Sequence, residues 1–140
     1  MTGSRRRWWL AVPAALVLAQ AVQPARTNPP VRDEVPAPPA VLEILRRACW
    51  DCHSNETVWG WHTRVAPISW LSVHDVNEGR MELNFSDWGR SLQKEKVAKK
   101  IVDALREGEM PPLLYVLAHP AARLSDRDQA AVADWARTLR

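Results

Sequence analysis

The sequence predicts a small all-α protein, and three observations lead to that fold class. Four segments carry apolar residues at helical spacing, which is the pattern of amphipathic helices. No segment alternates apolar and polar residues for long enough to indicate a strand. Proline or glycine stands at one end of three of these segments, as expected at helix boundaries. Of the 140 residues, about 100 remain once the N-terminal and proline-rich segments described below are set aside, which corresponds to one domain.

The first predicted helix runs directly into a cysteine motif. It follows the proline pair Pro38-Pro39, which suits the start of a helix. Its apolar face repeats every three or four residues, at Val41, Leu45, Ala48 and Cys52. We therefore expect one amphipathic helix that carries the motif at its C-terminal end.

The next two helices have recognisable boundaries. The second is predicted to begin at Pro67, because proline suits the first helical turn, and it continues towards Leu83. The third spans about Ser91 to Glu107, with apolar residues on one face and lysines on the other. Gly108 follows it, at the position where a left-handed residue terminates a helix.

The last predicted helix runs from Ser125 to Leu139. Asp128, three residues after Ser125, indicates a weaker form of the capping box. Val132 and Trp135 provide its apolar face.

The N-terminus is typical of a targeting segment. Three arginines, Arg5 to Arg7, precede an apolar run from Trp8 to Val22, and Ala19-Gln20-Ala21 fits the small-x-small rule for cleavage after Ala21. Residues 1–21 are therefore predicted to be a signal peptide or an N-terminal anchor that holds the protein at the inner membrane. Both alternatives place the folded part outside the cytoplasm, in the periplasm.

Residues 22–39 are rich in proline, which favours an extended chain and predicts a spacer ahead of a domain at residues 40–140. The chain has 19 basic and 16 acidic residues, but residues 1–21 hold three arginines and no acidic residue. The exported part is therefore neutral, without the basic stripe that nucleic-acid binding requires.

The five residues Cys49-Trp50-Asp51-Cys52-His53 form a Cys-x-x-Cys-His motif, which is typical of covalent c-type haem attachment. The two thiols lie one helical turn apart and can each add to one vinyl group of a single porphyrin. His53 then supplies an axial nitrogen to the iron. Cys49 and Cys52 are also the only cysteines of the chain. We therefore predict one covalently attached haem c per chain.

Two other uses of the cysteines fit less well. A thioredoxin-like redox disulfide would follow a strand in a βαβ unit, and no such alternation is present. A zinc site needs two further ligands at finger-like spacing. The remaining histidines, His62, His74 and His119, form no such pair.

Met110 is the predicted sixth ligand of the iron. It follows the helix terminator Gly108 and precedes Pro111 and Pro112, so that its backbone is restricted. A thioether is a suitable soft ligand for haem iron. The alternatives are a methionine that fills the core, ligation by His74, and an open sixth position.

The chain resembles the bacterial exported "haem-binding domain" proteins, which carry a single c-type haem in a cytochrome-c-like fold of four to five helices. The resemblance covers about residues 27 to 139 and implies haem binding through Cys49, Cys52 and His53. It depends on these segments: Ala48-Cys49-Trp50-Asp51-Cys52-His53-Ser54-Asn55-Glu56-Thr57, Ala66-Pro67-Ile68-Ser69-Trp70-Leu71, His74-Asp75-Val76-Asn77-Glu78-Gly79-Arg80, Leu83-Asn84-Phe85-Ser86, Glu107-Gly108-Glu109-Met110-Pro111-Pro112, and His119-Pro120 through Arg123-Leu124-Ser125.

Two further groups are candidates for contact with the porphyrin. Arg80 could pair with a haem propionate, because a guanidinium binds a carboxylate bidentately. The alternative is a surface helix end that Asn77 and Gly79 interrupt. The tryptophans, such as Trp59 and Trp61, are either core residues or line the porphyrin edge.

The pattern favours an electron carrier over an enzyme. A His53/Met110-ligated iron would cycle between two oxidation states, and no acid/base pair, nucleophile or second metal site accompanies it. An unidentified redox protein would then be its partner. The alternative is a haem-based sensor or a peroxidase-like enzyme with an open sixth position, in which His74 or Arg80 would act as distal groups.

Overall fold

The computed structural model describes residues 3–90 and 93–139, and within these ranges it is all-α, as predicted. The only pairing of β type in this part is an isolated parallel bridge between Asp33 and Asp87. There are seven α-helices: α1 Gly3–Ala19, α2 Pro39–Ala48, α3 Trp50–His53, α4 Ile68–Glu82, α5 Lys94–Glu107, α6 Leu113–Ala118 and α7 Asp126–Arg137.

The core lies between α2, α5 and α7, with the chain after α4 inserted against it. Leu45, Val132 and Phe85 are almost fully buried there. Trp50 stacks on Phe85, with 5.4 Å between the ring centroids. Burying one such side chain contributes about 1.5–3 kcal/mol, so the apolar faces predicted for α2 and α7 do position these helices.

Two predicted helix boundaries are confirmed. Gly108 ends α5 with φ +72, in the left-handed region that glycine adopts without steric cost. Ser125 caps α7: its hydroxyl accepts a bond from the Asp128 backbone N–H, and the Asp128 carboxylate accepts one from the Ser125 N–H. The predicted start of α5 at Ser91 lies outside the described residues, and the helix itself begins at Lys94.

The first predicted helix is in fact two. The backbone of Cys49 leaves helical geometry, with φ −126 and ψ −23, so α2 ends at Ala48 and α3 begins at Trp50. The structure also contains α6, which was not predicted. The six residues of α6 are almost all apolar, so they show no helical periodicity.

Residues 22–38 of the proline-rich segment contain no helix, and part of this stretch is packed against the domain and is not a free spacer. Val35 is only 4% exposed and belongs to the core. Its backbone N–H donates to the Phe85 carbonyl at 2.8 Å, and that of Arg32 donates to the Ser86 carbonyl at 2.9 Å. The spacer prediction is therefore wrong for this stretch, because one buried valine and a few backbone bonds suffice to hold it.

Helix α1 precedes this segment and contains Pro13. Its large apolar side chains from Trp9 onwards, including Leu10 and Leu18, are exposed. Within the described residues, no helix has both the length and the apolar character that a membrane crossing would need.

Candidate functional site

The Cys-x-x-Cys-His motif is packed directly against α4, and Gly79 makes this approach possible. A Cβ atom at position 79 would lie 2.5 Å from the Cys52 carbonyl oxygen, closer than real Cβ contacts come. Helix α4 continues through Gly79 to Glu82, so this glycine does not break the helix as the sequence suggested. Its function is to let the two backbones meet.

His53 is held in one orientation by two carbonyl groups of the same helix end. Its Nδ1 lies 2.9 Å from the Gly79 oxygen and 3.1 Å from the Leu83 oxygen. Donation from Nδ1–H to these carbonyls leaves the lone pair on Nε2, the tautomer that a metal-binding histidine needs. Burial lowers the pKa of His53, which also favours the neutral ring.

Cys49 and Cys52 are both free thiols. Cys49 occupies the junction between α2 and α3, and Cys52 lies in α3 one turn later. Burial raises the pKa of Cys49 to about 12 and that of Cys52 to about 11. Both side chains therefore remain protonated at neutral pH.

Two clefts open on either side of a shared wall, which Cys49, His53, Glu82 and Met110 form. The larger has a volume of about 430 Å³ and the smaller about 300 Å³. The larger cleft is lined mainly by apolar side chains, among them Leu45, Phe85, Val97, Ile101 and Val132. Cys52, Pro111 and Tyr115 line only the smaller one. The structure thus brings the predicted Cys49, Cys52, His53 and Met110 to one place.

Met110 reaches this wall from the loop after α5. The backbone N–H groups of Glu109 and Met110 both donate to the Ala104 carbonyl, at 3.0 and 3.4 Å. The left-handed turn at Gly108 directs the chain back across the helix end. The Met110 side chain remains 38% exposed. It is therefore at the cleft but not enclosed by protein.

Tyr115 ties the segment after Met110 to the cysteine motif. Its hydroxyl donates to the Asp51 carboxylate at 2.8 Å, and its ring stacks on His119 with 4.4 Å between centroids. Burial and this bond raise the pKa of Tyr115 above its ordinary range. Sequence reasoning missed this residue, because nothing local indicates that α6 lies beside α3.

The Arg80 side chain hydrogen-bonds to other groups of the protein and does not line either cleft. Its guanidinium donates four hydrogen bonds, so the geometry does not support a propionate-binding role. The acceptors are the carbonyls of Ser54 at 2.7 Å and Thr27 at 2.8 Å, the Asn28 Oδ1 at 3.0 Å and the Thr57 hydroxyl at 2.8 Å. Arg80 thus joins the chain after the motif to the proline-rich segment.

A second polar network, also missed in the sequence, fixes the chain on both sides of the site. The Asn55 N–H donates to the Ser86 hydroxyl at 3.0 Å, and the Asn84 amide donates to the Asn55 Oδ1 at 2.9 Å. The Phe85 N–H donates to the His53 carbonyl at 2.7 Å. These bonds give the run Leu83-Asn84-Phe85-Ser86 a structural role, because it holds the backbone of His53 and of the residues after it in place.

The other sequence candidates lie elsewhere. His74 is exposed and lines a separate shallow depression beside Trp70. No tryptophan lines either of the two clefts among the described residues, so the porphyrin-edge interpretation of these residues is not supported. Trp50, Trp88 and Trp135 are buried in the core instead.

The groups at the shared wall suit haem better than the alternatives. Cys49, His53 and Met110 line both clefts and Cys52 lines the smaller one, so two thiols, an imidazole and a thioether are available to hold an iron porphyrin. A structural zinc ion would need four ligands. Across residues 3–90 and 93–139, no group of three or more His, Cys, Asp or Glu residues is arranged so that it could hold a metal ion.

Comparison with known proteins leads to the same cofactor. No curated protein and no solved structure matches the chain significantly. A family described as "Haem-binding domain" matches residues 14–138, which includes the cysteine motif, α4 and the Met110 loop. The chain belongs to this haem-binding domain family.

Proposed function

We propose that the protein is an exported electron carrier with one covalently attached haem c, ligated by His53 and Met110. The observation that carries the proposal is the wall shared by the two clefts, where Cys49, His53 and Met110 meet. The bound haem would supply a one-electron couple between ferric and ferrous iron. No enzymatic activity is proposed, and the natural partner is a second redox protein.

The thiols form the attachment. Cys49 and Cys52 would hold the haem by addition of each S–H across one vinyl double bond, in which sulfur would bond to one carbon and the proton go to the other, with no oxidant or reductant consumed. Cys49 and Cys52 lie at successive turns of the chain around α3, which sets their sulfurs on one side of the site.

His53 and Met110 determine the properties of the iron. Donation from Nδ1 to the Gly79 and Leu83 carbonyls makes Nε2 a stronger donor and fixes the ring. A methionine ligand favours the ferrous state and raises the reduction potential. The apolar lining of the larger cleft would keep water from a haem bound there, which would act in the same direction.

Covalent attachment is tested by extraction in acidified acetone. We expect the colour to remain with the protein, and the Cys49→Ala/Cys52→Ala double variant to release its haem into the solvent or to accumulate without haem. Extraction of the haem from the unaltered protein would contradict thioether attachment.

Ligation by Met110 is tested with Met110→Ala and a matched control, Met81→Ala. Met81 is 71% exposed on α4 and lines neither cleft. We expect Met110→Ala to keep its haem, to lose the weak methionine-to-iron band of the oxidised protein, to bind carbon monoxide readily and to have a lower potential. Met81→Ala and His74→Ala should leave the spectrum unchanged.

One observation favours a second candidate function, a haem-based sensor or peroxidase-like enzyme. Met110 is 38% exposed, and none of the residues of α6 is buried, so the loop could open and free the sixth position. Avid uptake of carbon monoxide by the unaltered ferrous protein, with little further gain in Met110→Ala, would establish this alternative over the electron carrier.

A further inference from the structure

Helix α6 presents an apolar face that the described part of the chain leaves uncovered. Its three leucines share this face, because residues three and four positions apart lie on the same side of a helix. Leu113 is 71% exposed, Leu114 68% and Leu117 65%. Tyr115 points to the other side, where it donates to the Asp51 carboxylate. Large apolar side chains grouped on a surface mark an interaction site more often than chance exposure.

This apolar face lies at the edge of the haem site. Pro112 and Tyr115 line the smaller cleft together with Cys52 and Met110. Helix α6 begins at Leu113, at the end of the loop that carries Met110. A molecule that covers the three leucines would therefore lie beside the proposed iron ligand, at a short distance from the porphyrin.

The two clefts beside α6 are bordered by negative charge. Of the residues described, the basic side chain that lines a cleft is Lys100, and it is paired with Glu82. Residues 22–140 hold 16 acidic and 16 basic residues, so the excess of negative charge is local to the clefts. The acidic residues that line the clefts are Asp75, Glu78, Glu82, Asp103, Glu107 and Glu109.

This charge decides between the possible occupants of the α6 face. A second copy of the chain, packed on the same face, would bring its own carboxylates against these, and like charges brought together at an interface cost free energy. A membrane surface rich in anionic lipid would be repelled in the same way. A protein with basic side chains around an apolar patch would complement both the leucines and the carboxylates.

We propose that the leucine face of α6 and the acidic border of the clefts form the docking surface for a redox protein whose apolar patch is surrounded by lysines and arginines. This inference rests on the proposed function, because it assumes a haem in the clefts. The carboxylates steer the approach and the leucines form the apolar centre of the contact. One electron then leaves the ferrous haem iron, which becomes ferric, and reduces the metal of the partner, with no bond or proton exchanged.

The charge is tested by the rate of electron transfer from the ferrous holoprotein to ferric mitochondrial cytochrome c, a lysine-rich probe. We expect the rate constant to fall about tenfold between about 10 mM and about 200 mM sodium chloride, because salt screens the attraction. The variant Glu78→Gln/Glu107→Gln/Glu109→Gln should react about tenfold more slowly at low salt and lose most of the salt dependence. A rate equal to that of the parent, or a parent rate that does not fall with salt, would overturn the inference.

The matched control removes the same number of charges elsewhere. Glu43, Glu95 and Asp134 are exposed and line neither cleft. Glu43→Gln/Glu95→Gln/Asp134→Asn should therefore react like the parent. An equal loss of rate in this control would assign the effect to total charge and overturn a local docking surface.

The apolar centre is tested with Leu113→Gln/Leu117→Gln. We expect transfer to cytochrome c to slow about fivefold at every salt concentration, while the absorption spectrum and the reduction potential stay unchanged. Val58→Gln, which alters a side chain that is 78% exposed away from both clefts, should have no effect on the rate. An unchanged rate in the leucine variant would exclude α6 from the docking surface.

Two other results would assign the α6 face to a different occupant and overturn the inference. One is a dimer of the parent holoprotein that Leu113→Gln/Leu117→Gln dissociates in sedimentation. The other is binding of the parent, and not of this variant, to vesicles of phosphatidylglycerol. Release of haem from the parent in acidified acetone would instead refute the proposed covalent attachment, so the two failures are distinguishable.

Discussion

The shared wall of the two clefts has two parts, the His53 wall, where the motif meets Gly79, and the Met110 wall, where the Met110 loop meets α6, and these are built in different ways. On the His53 side, the imidazole bonds to two carbonyls, and Gly79 lets α4 contact the motif directly. On the Met110 side, the ligand loop leads into α6, which has no buried residue. One hydrogen bond, from Tyr115 to Asp51, ties that helix to the motif.

This difference indicates that one part of the site is rigid and the other part can be displaced. The His53 wall has one geometry, because backbone atoms and a steric contact leave no alternative arrangement. The Met110 wall can move at a small cost, since few buried contacts are lost. Under the proposed ligation, the protein would combine a fixed histidine ligand with a methionine sulfur that a small rearrangement can displace.

The largest expected effect comes from Gly79→Ala. The added Cβ would meet the Cys52 carbonyl at 2.5 Å, so α4 must move away from the motif and release the Nδ1 of His53. We expect a loss of about 3 kcal/mol in the free energy of unfolding and poor haem loading. Chemical denaturation and the ratio of haem to protein absorbance measure these effects.

The direction of the expected change in stability is itself a control, because it is opposite to the usual effect of a glycine-to-alanine change in a helix. Alanine normally stabilises a helix interior by about 1 kcal/mol relative to glycine. Gly60→Ala places a Cβ against the end of the His62 side chain, which can turn away, so this variant should load haem normally. An unchanged or more stable Gly79→Ala protein would show that the His53 wall is less rigid than described.

A smaller effect is expected for Arg80→Ala, which removes four bonds, two to residues 54 and 57 after the motif and two to residues 27 and 28. We expect a loss of about 2 kcal/mol in stability, because the buried Ser54 carbonyl loses its partner. Arg80→Lys should recover little, since lysine cannot donate in several directions at once.

The absorption bands and the potential distinguish this role from propionate binding. Both should be nearly unchanged in Arg80→Ala, and the exposed Arg64→Ala should lose little stability. A shift of the potential in Arg80→Ala without loss of stability would restore the propionate interpretation.

The smallest effect is predicted for Tyr115→Phe, which tests the Met110 wall. Loss of the bond to Asp51 should lower stability by about 1 kcal/mol and accelerate carbon monoxide binding to the ferrous protein, because the ligand loop is less restrained. Leu114→Ala changes an exposed side chain of the same helix and should leave that rate unaltered. Identical rates in all three proteins would mean that α6 does not control access to the iron.

The two walls also differ in how far the sequence predicts them. The motif and the Met-Pro-Pro loop are local patterns, so Cys49, Cys52, His53 and Met110 could be named before the structure. Gly79 could not be understood in the same way. Its low helix propensity suggested a helix end, whereas its function depends on a contact with Cys52, distant in the sequence.

The same limit applies to Arg80 and to the proline-rich segment. Composition predicts a spacer at residues 22–39, and only the folded structure reveals that Val35 enters the core and that Arg80 binds the Thr27 carbonyl. Helix α6 escaped prediction because almost all its residues are apolar, which removes the periodic signal. Local sequence patterns therefore predict the secondary-structure elements, whereas long-range packing determines which contacts each element makes in the folded protein.

The packed proline-rich segment has a consequence for encounters with other proteins. A free spacer over residues 22–39 would let the domain range up to about 60 Å from the end of α1. The hydrogen bond from Asn28 to the Thr57 carbonyl and the burial of Val35 prevent this movement. Both clefts therefore keep a fixed position relative to the chain that leads back to α1. A partner protein held near that chain would then meet the haem site at a high effective concentration and in one orientation.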